Sequence, residues 1–386
     1  MIEKYLENKI FKAINIKNSN VGLHEPFLSK QDHAEVKKCI ESTFVSTVGI
    51  YINKFEKKLS SITGAKYVIA TNTGTSALQA ALFVSGATSE TNVILSPVTF
   101  VASANAIKYN NAIPIFIDCD DKNFCLCPDQ LKIFLEKETY LKDNKRYFKK
   151  NRKVISAILV THVFGSAALI DKIAKLAKKF SIKLIEDSAE SLGCFYKNKH
   201  LGTFGSIGII SFNGNKIITT GAGGAIITNS KKLYLRAKHL ISVAKKPHPW
   251  KFEHDVIGWN YRMPNLCAAL GFSQLKKFNM ILKKKKKLKK IYKRLFSNNK
   301  LVEFIDFDEL NFFKSNNWLN AIRLKKDSNK RNKILNYLNK KGYQCRPVWT
   351  LINKLKPYSK CYTYKIRNAE KIEKEIIFLP SSPNLV

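Results

Sequence analysis

Acidic side chains are scarce in this chain: 29 Asp and Glu stand against 67 Lys and Arg, for a formal net charge of +38. That balance invites a nucleic-acid partner, because Lys and Arg neutralise phosphates. The excess, however, is nearly all lysine, spread over the whole chain beside abundant Asn and Ile, with few arginines and no recognisable binding module. Such a pattern describes a solvated lysine surface that adheres to polyanions at low salt without specifying one. It is compatible with a nucleotide-diphosphate substrate and does not identify it.

Long apolar runs are also missing. No stretch of about 18 uncharged apolar residues occurs, so no membrane-spanning helix is expected. The opening MIEKYLENKIFKAINIKNSN carries Glu and Lys throughout and lacks an apolar core segment, so no signal peptide is expected and the expected compartment is the cytoplasm. The eight cysteines form no CxxC pair, and Cys125-Leu126-Cys127 has no second Cys/His cluster near it in sequence. Zinc spacing is absent, so reduced thiols and no metal are expected.

What is present concentrates between Lys183 and Ile227. In a chain that is 25% charged, residues 200–230 contain one formally charged side chain, Lys216, among Ser, Thr, Asn, Gly and aliphatic residues. Ser206–Phe212 and Gly224–Thr228 read as two short buried strands bounded by glycine, which puts Lys216 on the turn between them. Partial desolvation there favours the neutral, nucleophilic amine that Schiff-base chemistry requires. Upstream, SIKLIED reads as a buried strand ending at Asp187, and Glu190 follows three residues later. Ligands of α/β sheets bind at the carboxyl ends of strands, so Asp187 is placed to hold a cation or a protonated ring nitrogen.

Three segments, EDSAES, GTFGSIGIISFNGNKIITTGAGG and GWNYRMPNLCAALG, resemble the sugar aminotransferases of the DegT family, pyridoxal-phosphate (PLP) enzymes with the aspartate-aminotransferase fold. The resemblance runs from about Pro26 to Pro383. It implies an α/β chain of PLP fold type I: a large domain with a mostly parallel seven-stranded sheet and a smaller C-terminal α/β domain. The implied division is an N-terminal arm over 1–25, the PLP-binding domain over 26–265, and a linking helix with the small domain over 266–386. Lys216 matches the family lysine that carries PLP and later moves the proton between Cα and C4′. Asp187 matches the aspartate that keeps the pyridine nitrogen protonated, and Glu190 becomes a neighbour of the ring hydroxyl.

Along the chain, Tyr67–Thr71 is a short strand, and Asn72-Thr73-Gly74-Thr75-Ser76 breaks it before the helix 77–84. A strand, a Gly/Thr turn and a helix N-terminus together form an anion cradle, although Ser and Thr are equally ordinary N-caps. The family's matching segment binds the PLP phosphate, which implies contacts from Gly74, Thr75 and Ser76, with Ser211 and Asn260 as further phosphate contacts. Phe100 reads as plain core or, by the resemblance, as the aromatic that stacks on the PLP ring. Val45–Gly49 reads as a loop that the resemblance lays over the active site, with Val45 and Ser46 at the sugar nucleotide. In the element Arg346-Pro347-Val348-Trp349, Arg346 is placed to pair with a substrate anion or to make an ordinary salt bridge. His162 is expected to be a structural histidine. The charged segment KETYLKDNKRYFKKNRK is expected to be a solvated loop or helix face, and residues 266–296 one long helix. Ala222 stands where the family more often has glycine and Ser206 where it often has aspartate; neither change removes a group the chemistry needs.

The implied activity is PLP-dependent transfer of an amino group from glutamate to a nucleotide-linked 4-keto sugar, by a homodimer with shared active sites. STFVSTVG, HPWKFEHD and NGNKIITT most resemble the branch that aminates UDP-2-acetamido-4-keto-2,6-dideoxyhexoses for surface glycans or lipopolysaccharide. A GDP-4-keto-6-deoxymannose is the alternative substrate. A non-catalytic binding protein on the same scaffold is the more distant reading, and it has no need of Lys216.

Overall fold

The structure, a computed structural model, describes residues 2–17, 20–309, 312–326 and 328–386. Three helices precede the first strand: α1 (Ile2–Ile14), α2 (Lys30–Glu41) and α3 (Ile50–Thr63). Strand and helix then alternate through β1 (Tyr67–Thr71), α4 (Gly74–Val84), β2 (Thr91–Leu95), α5 (Val101–Tyr109), β3 (Ile113–Ile117) and α6 (Pro128–Lys137). After a hairpin of β4 (Thr139–Lys142) and β5 (Lys145–Phe148), the alternation resumes with β6 (Val154–Thr161), α7 (Ile170–Lys179) and β7 (Lys183–Asp187). Segments such as YVIAT and IPIFI are too short for helices and apolar on both faces, as strands sandwiched between helical layers must be.

The short strands β8 (Phe195–Tyr196) and β9 (Lys199–His200) follow, then β10 (Ile207–Ser211), β11 (Gly224–Thr228) and α8 (Lys231–Ile241). The main sheet runs β1-β11-β10-β7-β6-β2-β3. From β10 to β3 every pairing is parallel, and β11 is antiparallel to both neighbours. The carboxyl ends of β2, β6, β7 and β10 therefore open on one edge.

The C-terminal part begins with α9 (Asn265–Lys276) and α10 (Phe278–Phe296). One continuous helix was expected here, and the structure breaks it at Lys277 (φ −95°, ψ 0°). The reason is long-range: the Lys277 ammonium is drawn to the buried carboxylate of Asp32 and donates to Ser29 Oγ at 2.7 Å, pinning the junction to the start of α2. Strands β12 (Val302–Ile305), β13 (Phe313–Lys314) and β14 (Asn320–Leu324) follow, then α11 (Arg331–Lys340), β15 (Arg346–Pro347), β16 (Tyr362–Tyr364), α12 (Arg367–Glu375) and β17 (Ile376–Leu379). A second, antiparallel sheet runs β12-β14-β17-β15, while β16 joins the main sheet beside β3 and β13 pairs with β8. Leu6 and Ile10 of α1 are fully buried in one cluster with Leu288, Tyr292, Ile334 and Leu338. Residues 1–25, read as a polar arm or short helix, contain a helix, α1, that is buried against the C-terminal sheet.

The charged segment after α6 is a hairpin rather than a solvated loop or helix face. Tyr140 and Tyr147 pair across it with rings 5.5 Å apart and 17° from parallel, and Thr139 and Phe148 are buried. Asp143 and Asn144 close it with φ of 50° and 56°, the left-handed pair that a two-residue hairpin turn needs. Among the described residues no helix is long and apolar enough to cross a membrane, and no group of Cys, His, Asp and Glu could hold a metal ion.

Candidate active site

At the carboxyl edge of the main sheet lies a cavity of about 820 Å³, walled on the far side by Gly22–Glu25, Trp318, Gln344 and residues 346–350. Lys216, Glu190 and Asp187 all line it. Lys216 sits on the turn between β10 and β11, as its neighbours dictated, with its side chain 12% exposed. Its Nζ is 3.0 Å from Glu190 Oε1 and 4.4 Å from the centre of the Trp318 ring. Trp318 is itself fixed, its Nε1–H donating to the Asn215 carbonyl at 2.8 Å while the buried Lys285 Nζ donates to its own carbonyl at 2.7 Å.

Glu190 is buried, and burial pushes its carboxyl above the usual range, opposed by the Lys216 ammonium and by the Phe164 N–H, which donates to Oε2 at 2.7 Å. Phe164 reaches that carboxylate from a left-handed conformation (φ 60°), sparsely populated for a non-glycine residue. Asp187 ends β7. Burial raises its pKa as well, against hydrogen bonds from Ser103 Oγ to Oδ2 at 2.6 Å and from the Ala189 N–H to Oδ1 at 3.1 Å, and against the charge of Lys216. Thr99 Oγ1 lies 2.9 Å from Ser103 Oγ and 3.1 Å from Thr161 Oγ1, so a string of hydroxyls backs the carboxylate.

At the other end of the cavity, Thr73 caps α4. Its Oγ1 accepts from the Ser76 N–H at 3.0 Å and contacts Ser76 Oγ at 2.8 Å. Ser76 is thereby turned into the cap and does not line the cavity, unlike Thr73, Gly74, Thr75 and Ser211. The first helical amides, Gly74 and Thr75, have no intrahelical acceptor. The backbone crowds there: a Cβ on Gly74 would stand 2.8 Å from Ser211 Cβ, and one on Gly224 would stand 2.4 Å from the Thr73 carbonyl. Phe100 keeps half of its surface exposed at the cavity, with its ring 5.8 Å from that of Trp349.

Arg346 lines the cavity and makes no salt bridge among the described residues; its Nη1 donates to Asn339 Oδ1 at 2.7 Å and to the Cys345 carbonyl at 3.1 Å. Val45, Ser46 and Asn260 lie outside the cavity on exposed surface. The backbone carbonyls of Val45 and Ser46 accept from Leu266 and Asn265 at the start of α9, and Asn260 lies beside Asn72. His162 is fully buried behind the site, with Nδ1 accepting from the Ala168 N–H and Nε2 3.0 Å from Glu186. Ala222 lines the cavity, whereas Ser206 is turned away and donates to the Leu184 carbonyl at 2.9 Å. Sequence reasoning missed Ser103, Thr161, Trp318 and His24 as cavity residues. Hydroxyls clustered at the ends of parallel strands, and Ser103 one helical turn beyond Thr99, were the available signal for the first two.

This donor set fits PLP: a buried carboxylate at one end, an amine beside it, an exposed aromatic face, and a glycine-lined helix N-terminus at a phosphate's place. The family model for DegT/DnrJ/EryC1/StrS aminotransferases matches residues 26–386. The chain belongs to this family. It is a PLP-dependent aminotransferase of fold type I, like others of the DegT/DnrJ/EryC1/StrS family. A GDP-perosamine synthase of Escherichia coli O157:H7 is 34% identical over 365 residues, covering 95% of this chain and 94% of that protein. A UDP-4-amino-4,6-dideoxy-N-acetyl-beta-L-altrosamine transaminase of Helicobacter pylori is 30% identical, covering 94% and 92%. Among solved structures, that of Helicobacter pylori PseC, an aminotransferase involved in the biosynthesis of pseudoaminic acid, has a TM-score of 0.85 at 27% identity and covers 95% of each chain.

Proposed function

We propose that this sugar aminotransferase moves an amino group from glutamate to the 4-keto carbon of a nucleotide-linked deoxy sugar. The observation that carries the reading is the meeting of Lys216, Glu190 and Asp187 in one cavity, with the Lys216 amine held 3.0 Å from a carboxylate. When bound, PLP supplies an electron sink that stabilises negative charge on the carbon losing its proton. Lys216 Nζ would hold the cofactor and, when free, would take and return that proton. Glu190 and the Trp318 ring hold the freed ammonium in place from two sides. Asp187, backed by a hydrogen bond from Ser103 Oγ, would keep a proton on the pyridine nitrogen. Gly74, Thr75 and Ser211 would receive the phosphate, Phe100 would offer its exposed face to the ring, and Arg346 would receive a substrate anion. Residues 26–265 are the cofactor-holding domain in this reading, and 266–386 with α1 form the smaller one.

Val45, Ser46 and Asn260 enter the same reading through a homodimer, in which they serve the neighbouring subunit's cavity. Their surroundings support it, because Phe44, Val48, Ile50, Trp250, Phe252 and Ile257 are all exposed apolar side chains. Two sugars compete as acceptor, UDP-2-acetamido-4-keto-2,6-dideoxyhexose and GDP-4-keto-6-deoxymannose. Nearly full-length relatives include both GDP-perosamine synthases and a UDP-4-amino-4,6-dideoxy-N-acetyl-beta-L-altrosamine transaminase, so they support a nucleotide-linked keto sugar as a class, and turnover with the two sugars decides between them. Either product suits surface-glycan or lipopolysaccharide biosynthesis.

The test is absorbance. Wild-type protein with PLP should show the near-visible band of lysine-bound cofactor and convert to the pyridoxamine form with glutamate. Lys216→Ala should show neither, and turnover should then be measured with both keto sugars. A wild type saturated with PLP that gives no such band would sink the reading.

A further inference from the structure

One cavity residue has no hydrogen-bond partner among the described residues. His24 is 8% exposed, and among the described residues neither of its ring nitrogens has a hydrogen-bond partner. Buried polar side chains left unpaired are rare, because a structural role would normally pair them. The backbone around it is firmly held: the Val21 N–H donates to the Gly342 carbonyl, the Leu23 carbonyl accepts from Ser381, and the Glu25 N–H donates to Ser382 Oγ at 2.8 Å. The segment is thus pinned to the C-terminal part while the imidazole is not. Its ring lies 6.3 Å from that of Trp318, the indole that faces Lys216.

The chemistry of the pocket narrows what this ring can meet. Burial, then the charges of Lys285 and Lys216, push the imidazole's pKa well below its usual value, so the ring is neutral. The Asn215 backbone favours the charged form but falls short of hydrogen-bonding geometry, and its carbonyl already accepts from Trp318. A neutral imidazole offers one N–H and one lone pair. With cations already at hand, carboxylates and phosphates are better served elsewhere in the cavity. A hydroxyl, itself a donor and an acceptor, is the complementary group.

We propose that His24 is a specificity-determining residue for the amino acceptor: its imidazole turns about the Cβ–Cγ bond into the cavity and exchanges hydrogen bonds with a hydroxyl of the keto sugar. This rests on the reading of the site as a keto-sugar aminotransferase and names one group in it that tells the acceptor from the donor. The χ2 torsion of histidine is broad, so the turn meets no strong rotameric barrier.

The two half-reactions provide the test, because glutamate and the keto sugar visit the same site separately and each changes the absorbance. The quantity read is the ratio of their second-order constants, measured on one preparation so that loss of folded protein cancels. His24→Phe keeps a planar ring and removes both nitrogens; it should shift the ratio against the sugar by ~10- to 100-fold, the scale of one buried hydrogen-bonding group. His24→Gln, which keeps a donor and an acceptor, should recover part of that loss. A sugar analogue lacking the contacted hydroxyl should be discriminated against by the wild type and not by His24→Phe. Equal slowing of both half-reactions, or an unmoved ratio, overturns the proposal. If the wild type shows no spectral change with glutamate, or turns over neither keto sugar, the underlying function fails first, and that outcome is distinguishable from the others.

Discussion

Two carboxylates three residues apart, both buried, are given different work by what surrounds them. Glu190 faces an ammonium, whereas Asp187 faces hydroxyls and the cavity. If Asp187 holds the pyridinium proton, Asp187→Asn should bind PLP yet lose ~10³-fold in kcat, the scale of removing one preorganised charge from a site; steady-state rates beside a cofactor titration check this. A buried histidine outside the site sets a different expectation. His200 is 1% exposed, its Nε2 accepts from the Gly193 N–H at 2.9 Å, and burial depresses its pKa to about 4. Because the folded value is the lower one, the unfolded chain binds the extra proton as pH falls below the ordinary value of about 6.5. Stability is therefore full above that pH and declines toward pH 4. Between pH 7.5 and pH 5 this residue should cost about 2 kcal/mol. Urea unfolding at the two pH values should show the loss in the wild type and a flatter dependence in His200→Gln.

At the scale of elements, the break between α9 and α10 is held by one ion pair. Asp32 is 2% exposed and accepts from the Ser29 N–H, Gln274 and Lys277. Lys277→Met would leave that carboxylate buried without its cation, at about 3 kcal/mol. Asp32→Asn in the same chain should restore part of the loss, and denaturant midpoints of the single and double variants decide it. The strand ends tell the same story for glycine. Gly224→Ala would push a methyl into the Thr73 carbonyl at the head of α4, so it should weaken PLP retention and destabilise by ~1–3 kcal/mol. Strands β1 and β11 were legible to the residue, because each is a short apolar run ended by an asparagine. The hairpin Thr139–Phe148 was not, since its charges mask a buried Thr139–Phe148 pair and stacked tyrosines. Nor was the break at Lys277, whose cause lies some 245 residues away in sequence.

For the whole molecule, the expectation is a dimer in which each cavity takes residues from both subunits. Light scattering should give twice the 44.0 kDa chain mass. Lys216→Ala and Asn260→Ala subunits, each weak alone, should recover activity when refolded together, because half of the hybrid sites then combine an intact lysine with an intact asparagine. Complementation that fails while mixed dimers form would place Asn260 outside the neighbour's site.

The residues that line the cavity were legible in the sequence where they formed local patterns, set by nearest neighbours and strand ends: one lysine left alone among neutral residues, carboxylates at the end of an apolar strand, and a Gly/Thr turn before a helix. The alternation of strand and helix likewise determined a largely parallel sheet and the edge on which a ligand would sit. Tertiary structure alone decided which side chains share the cavity. It turned Ser76 into the helix cap, left Phe100 half exposed, brought Trp318 from beyond α10 over Lys216, and left His24 without a hydrogen-bond partner among the described residues. Each of those outcomes depends on segments distant in sequence packing against one another, and a hydrogen bond or an open face between such segments leaves no local mark.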